Sequence, residues 1–402
     1  MMSMENTGVT RILQALEVIY EPKSNNAARR EAQVFLESVK ASDESPFWGF
    51  QLALPENYGT NYIVRHFGLS LLQHAINKKF HTLDRSKILV LREWISTLAA
   101  KTLEDDSHYL KEKLGFLWAS LAKRIWGAFL VKAKQETDGI NLTKEDTEDG
   151  WVSMDAELWS LWNGSAQTRE LSLIILRTLF EDIYLLDDPV ASKRTNILNQ
   201  LSVMIITPDS VLEKIYEPSP TLSACKHSKD GWLVEWNKFL VETLTRNDIS
   251  SPTVQQFVPK ILSTFKTCLH WIQPSVLKNE NVLNTLMNIL TVSDMKLKTL
   301  AIDCLHILFT RSYNDAEDFD FFIGSIFTRE GIEKLSAFYL SLVIDPDDFD
   351  EQAYALLKKT VEMIVSLSEY LQPLSPAKSR INWEKSSVDT YLRLVLDTTK
   401  HP

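Results

Sequence analysis

The sequence predicts an all-α protein, an α-solenoid of HEAT-type antiparallel helix pairs. Three observations carry that expectation. Apolar residues recur at helical spacing along nearly all of the 402 residues, in segments parted by short breaks carrying Pro, Gly, Asn or Asp. No segment shows the period-2 alternation of a strand, and 12 glycines and 14 prolines are few for a turn-rich β fold. The helical segments come in pairs of about 35–45 residues with weak mutual similarity, the mark of stacked repeats that cannot bury their apolar faces alone.

Taken in order, Ile12, Leu13, Leu16 and Ile19 set the first helix, which stops at Glu21-Pro22 because proline pushes its predecessor out of the α region. In the next stretch Ala28, Ala32, Phe35, Leu36 and Val39 share one helical face, and Asn25 or Asn26 can cap its start. Pro46 ends that helix and opens another through Phe47, Trp48 and Phe50, so residues 7–42 form a helix hairpin. Helical periodicity then covers 61–80, 85–101, 107–132, 166–186, 191–206, 231–246, 253–272, 280–291, 295–311, 351–371 and 387–398. One internal echo sets TFKTCLHWI (264–272) beside AIDCLHILF (301–309), with Cys268 and Cys304 at matching places. The domain reading is a first set of repeats over 5–130, an acidic loop over 131–150 and further repeats over 151–371. A linker and the start of a next helix follow over 372–402, with Tyr391, Leu392, Leu394 and Val395 expected as an exposed apolar patch.

Apolar content of 45% and charged content of 24% suit a core-forming soluble chain. Three cysteines fit a reducing compartment without a disulfide framework, and the N-terminus lacks the regions of a signal peptide. No apolar run is long enough to span a bilayer, so no membrane insertion is expected. The net charge of −10 is uneven: residues 1–134 hold 18 Lys/Arg against 14 Asp/Glu, and the rest hold 25 against 39. Such asymmetry suggests partners with complementary patches.

Chemistry is scarce. No phosphate-binding glycine loop or nucleophile elbow occurs, so no enzyme, catalytic residue or cofactor is expected. Three Cys-x-His pairs stand at Cys225/His227, Cys268/His270 and Cys304/His306. Residues two apart on a helix point about 200° from one another and cannot grip one ion, so no metal is expected. Acidic clusters at Glu145-Asp146, Glu148-Asp149, Glu317-Asp318 and Asp347-Asp348 read as solvated loop charge, and Trp94, Trp118 and Trp126 as core.

Two faces suggest binding. In YIVRHFGLSLLQHAINKKF (62–80) apolar residues wrap most of the helix and leave one polar stripe of His66, Ser70, Gln73, His74 and Asn77. Uncharged hydrogen-bonding groups cost less to desolvate than charges, which suits a partner surface. Along 107–132, Lys111, Lys113, Lys123, Arg124, Lys132 and Lys134 form a basic set that could meet RNA phosphates, against the plainer reading of a solvated helix face.

At this point a resemblance enters. AARREAQVFLESVKASDESPFWGF resembles the importin-β N-terminal motif, FGLSLLQHAINKKF the family's next repeat, and KEKLGFLWASLAKRIWG (111–127) its helix ending in a basic pair before tryptophan. Together with YIVRHFGLSLL and the closing VDTYLRLVLDTTKHP, the wording is similar to nuclear export receptors of the exportin-5 type, especially fungal ones; the specific part covers residues 5–130. The resemblance implies a karyopherin-β solenoid that binds Ran-GTP with its first repeats and meets nuclear pore proteins. It implies protein cargo, including phosphorylated protein, and structured RNA such as tRNA, carried by a monomeric receptor shuttling between nucleus and cytoplasm. It also implies an N-terminal portion of a longer receptor. The family's Ran-facing Lys-Asn dipeptide falls on Gln73-His74, so the lysine charge is missing here. The inner helices correspond to 26–41, 61–80 and 107–130, with Arg29, Gln33, Glu37 and Lys40 on the polar side of the first. The alternative is an RNA-binding or import-type HEAT scaffold.

Overall fold

A computed structural model describes residues 2–130, 143–215, 220–342, 350–371 and 385–399. Among these residues all regular structure is helical, and the helices pack as pairs in an all-α HEAT-type solenoid. The chain divides into two units, residues 1–205 with 218–227 and residues 206–217 with 228–402.

The first unit carries α1 (Met2–Tyr20), α2 (Asn26–Ala41), α3 (Ser45–Ala53), α4 (Tyr62–Lys78), α5 (Arg85–Ala100), α6 (His108–Ile125), α7 (Met154–Trp162), α8 (Ala166–Phe180) and α9 (Thr195–Ile206). Asn25 caps α2 by accepting from Ala28 N at 2.7 Å, and Pro46 sits in the first turn of α3. Ile12, Leu16, Ala32, Leu36 and Val39 close the α1–α2 hairpin against Leu52, Val64 and Leu71. The α3–α4 pair is tight because two glycines face each other: a Cβ on Gly68 would lie 2.6 Å from the Gly49 carbonyl oxygen. Arg65 of α4 is buried and forks onto Asp106, with its second nitrogen 2.8 Å from Oδ2, while it also donates to the Ala53 and Gly59 carbonyls.

Helix α6 ends at Ile125, short of the expected 132. Gly127 takes φ +69° and donates its N–H to the Gly150 carbonyl at 2.8 Å, turning the chain out of the helix. Of the stretch expected as an acidic loop, 131–150, residues 131–142 lie outside the described residues. Residues Lys144–Asp149 form a helical turn closed by a Thr143/Asp146 capping box, and Glu148 and Asp149 hold Arg85.

The second unit carries α10 (Gly231–Arg246), α11 (Pro252–Cys268), α12 (Val282–Ile289), α13 (Met295–Thr310), α14 (Arg329–Leu340), α15 (Glu351–Ser366) and α16 (Lys385–Thr398). Cys268 and Cys304 do hold matching places, both fully buried on neighbouring helices. Helices α7 and α14 are absent from the expected set. Helix α7 is apolar almost all round, with Met154, Leu158, Trp159, Leu161 and Trp162 buried, so no stripe betrays it. Helix α14 opens on Glu330-Gly331, a weak helix start that Thr328 rescues by capping Gly331 N. The expected apolar patch at the last helix is redrawn: Tyr391 and Leu394 are buried, Val395 is half-buried, and Leu392 and Leu396 are exposed.

Candidate partner-binding site

The site is built on α2, α4 and α6, which lie side by side. Val64, Gly68, Leu69, Leu71, Leu72, Ala75 and Ile76 take α4 into the core. What remains is a ledge on which His66, Ser70, Gln73 and His74 are half-buried and Asn77 is exposed. Asn61 holds the start of α4 by accepting from Val64 N at 3.3 Å, and Lys79 ties its end to the Ala41 and Ser42 carbonyls at 2.5 and 2.9 Å.

The ledge draws side chains from all three helices. His66 packs edge-on against Tyr109 of α6 at 5.5 Å between centroids. The Ser70 hydroxyl donates to the His66 carbonyl at 2.9 Å, so it is already satisfied within its own helix. Gln73 Oε1 accepts from Lys113 Nζ, and on α2 Lys40 pairs with Glu37 at 2.5 Å. Burial lowers the Lys113 pKa and Lys40 lowers it further. Burial also lowers the His66 pKa, with help from Lys113. His74 is lowered by burial and then by Lys79 and Lys40, with Glu37 pulling the other way. Its Nδ1 is buried without a hydrogen-bond partner. The ledge is therefore a surface of neutral hydrogen-bonding groups set among cations.

Several sequence-assigned residues sit elsewhere. Arg29 turns back on the α1–α2 connection and donates to the Glu21 and Pro22 carbonyls at 2.7 and 3.1 Å, occupied as a clamp on the end of α1. Gln33 and Glu37 stay exposed on α2. The basic set along α6 does not form a patch. Lys111 is buried in an ion pair with Glu170 at 2.9 Å, and Lys123 is buried between Asp182 at 2.6 Å and Asp188 at 2.8 Å. Neither ammonium can face a phosphate, because the helix turns both toward neighbouring carboxylates. Lys132 and Lys134 lie outside the described residues. Only Lys113 and Arg124 remain on the open side, and Arg124 lies over the Phe80 ring at 5.5 Å while donating to the Ser120 carbonyl.

Sequence reading took Lys113 for an RNA contact and missed the aromatic residues beside it. Exposed Tyr109 and half-buried Phe116 share the open side of α6 with Lys113, at the spacing that picked out the α4 stripe. Beyond them Glu112 holds Arg177 of α8 at 2.8 and 2.9 Å. The three thiols are buried; Cys225 is pushed up to about 12, burial being the largest cause. No set of three metal-ligating side chains gathers among the described residues, and no described helix is long and apolar enough to cross a membrane.

A family model described as Exportin 1-like protein matches residues 107–305. Protein MSN5 of Saccharomyces cerevisiae is 38% identical over 99% of this chain and 31% of its own length. An uncharacterised Schizosaccharomyces pombe protein is 30% identical over 99% of the chain and 31% of itself. Human Exportin-5 is 23% identical over 100% of the chain and 30% of itself. The chain thus spans about a third of the length of the curated relatives it matches. With an exportin match through its middle and end-to-end likeness to these proteins, the chain belongs to the exportin family, of the MSN5 and Exportin-5 type.

Proposed function

We propose that this chain supplies the Ran-GTP-binding repeats of a nuclear export receptor. In this reading it engages the GTP form of the GTPase on the α2–α4–α6 ledge, and it carries cargo through the pore as it shuttles between nucleus and cytoplasm. One observation carries the reading. Helix α4 presents His66, Gln73, His74 and Asn77 as partly open, uncharged hydrogen-bonding groups on one surface, beside Lys113 and Tyr109 of α6. Such groups desolvate at lower cost than charges and fix orientation once a partner covers them. Arg29 drops out of the contact set, because its guanidinium is spent on α1.

Protein is the favoured cargo class over bare RNA. The RNA reading rested on a row of six basic residues along 107–134, and the burial of Lys111 and Lys123 removes its centre. The test is a pull-down of the chain with Ran loaded with GTP and, separately, GDP. Selective retention of the GTP form is expected, and equal or absent retention would overturn the reading. Adding cargo separates direction: an export receptor binds cargo more tightly with Ran-GTP, whereas an import receptor releases it.

A further inference from the structure

Lys113 differs from the other lysines of its helix. Lys111 and Lys123 meet carboxylates, whereas Lys113 meets only the neutral Gln73 oxygen. Among the described residues no carboxylate lies within ion-pairing distance of it. Charged groups reach it from α2, α4 and its own helix, while α8 supplies Arg177 to Glu112 and Glu170 to Lys111. Helix α2 brings Lys40, whose charge Glu37 answers at 2.5 Å. Helix α4 brings His66 and His74, followed by Lys78 and by Lys79, which is bound to backbone carbonyls. On α6 itself Glu112 is taken by Arg177 and His108. A half-buried ammonium is thus left with one neutral partner and cations on its far side.

We propose that Lys113, flanked by Lys40, His66 and His74, forms a notch that accepts one carboxylate from an acidic segment of the protein docked on the ledge. A charge held half out of water without a counter-ion is the place where an incoming opposite charge gains most. The local balance selects the anion. Lys40 and Glu37 cancel, Lys79 has Asp43 at 3.7 Å, and burial lowers both histidine pKa values. Lys113 is the half-buried cation left without a carboxylate, with exposed Lys78 further along α4. One carboxylate answers that single half-buried ammonium. Once the carboxylate is seated, it also acts on the His66 imidazole, which already feels Lys113, and favours its protonated form, so docking takes up a proton and tightens as pH falls toward 6. The inference deepens the ledge reading above and names the chemistry of the partner's contact.

The experiment uses the whole chain with three probes in parallel: a hexaglutamate peptide, GTP-loaded Ran and a single-stranded RNA. It compares the wild type with Lys113→Met, which keeps the stem without the charge, and Lys113→Arg, which keeps a cation. Peptide binding is followed by the ring signal of His66, whose titration should move up when the peptide is bound. Lys113→Met should weaken peptide binding about tenfold with an unchanged melt, and Lys113→Arg should retain most of it. Peptide bound equally by Lys113→Met, or not bound by the wild type at millimolar concentration, would overturn the notch. RNA binding that depends on Lys113 while the peptide is ignored would overturn the choice of a carboxylate. Peptide dependence on Lys113 without any Ran-GTP binding would leave the notch standing and remove the Ran reading alone.

Discussion

On one side of α6 Lys111 and Lys123 are sunk into ion pairs with Glu170, Asp182 and Asp188; on the other Lys113 and Arg124 stay half-buried and meet no carboxylate in an ion pair. The buried pair is structural. Removing one partner of a buried pair strands the other charge, so these lysines are bound to the repeat stack rather than to any ligand. The open pair is unfinished by comparison. Its cations have lowered pKa values through burial; Lys113 has no opposite charge to offset that cost, and at Arg124 Asp188 offsets it only in part. The difference shows that basic residues on one helix divide by the face they occupy and not by their number.

The comparison breaks hardest at Lys123. Lys123→Met leaves buried Asp182 and half-buried Asp188 without their shared cation, and a loss of about 3 kcal/mol is expected in a denaturant melt. Burial already raises the Asp182 pKa against the pull of Lys123. The loss should therefore shrink in acid, where the stranded carboxyls can neutralise. A loss equally large at low pH would point to lost packing of the lysine stem instead.

Next in size is Gln73→Glu. The new carboxylate would stand where the Gln73 oxygen already meets Lys113, filling the notch from within. Hexaglutamate and Ran-GTP should bind about tenfold more weakly, while the melt rises by up to about 1 kcal/mol. Weaker binding accompanied by a lower melt would mean that the substitution damaged the ledge rather than occupied it.

A smaller effect concerns pH. His66 and His74 have folded-state pKa values below their ordinary 6.5, burial being the first cause. The unfolded chain then binds protons more readily than the folded one. Their contribution to stability is complete above 6.5 and is lost as pH falls through the lowered values. The double variant His66→Gln/His74→Gln should flatten stability between pH 7 and 5, measured by melts across that range. An unchanged slope would assign the acid sensitivity to other groups.

The smallest effect belongs to the second unit, where cations on α11 and α15 are answered in the open. Lys266 meets Asp303 at 2.6 Å and Lys359 meets the same carboxylate at 3.5 Å, but Lys266 is 46% exposed. Lys266→Met should cost less than about 1 kcal/mol, and that loss should fade in 0.5 M salt. A loss as large as that at Lys123 would show that exposure is a poor guide to which lysines matter.

Much of this was legible in the residues themselves. Asn25 before an amphipathic run and Pro46 after it set helix ends through local hydrogen bonding and sterics, which need no distant partner. The wrapped pattern of 62–80 likewise foretold a helix with one open polar stripe, since periodicity states which side chains cannot all be buried. What failed were features without local contrast: α7 is oily on almost every side, and α14 carries a glycine in its first turn.

By itself, then, the sequence determined the helix-pair fold, the cap at Asn25 and the polar stripe of α4, because propensity and periodicity act within a few turns. Tertiary structure alone decided what the lysines of α6 do. Glu170 lies 59 residues from Lys111, Asp188 lies 65 from Lys123, and Gln73 lies 40 from Lys113. Whether a cation is neutralised or left open depends on which face the neighbouring helices cover, and that is fixed only when the pairs stack.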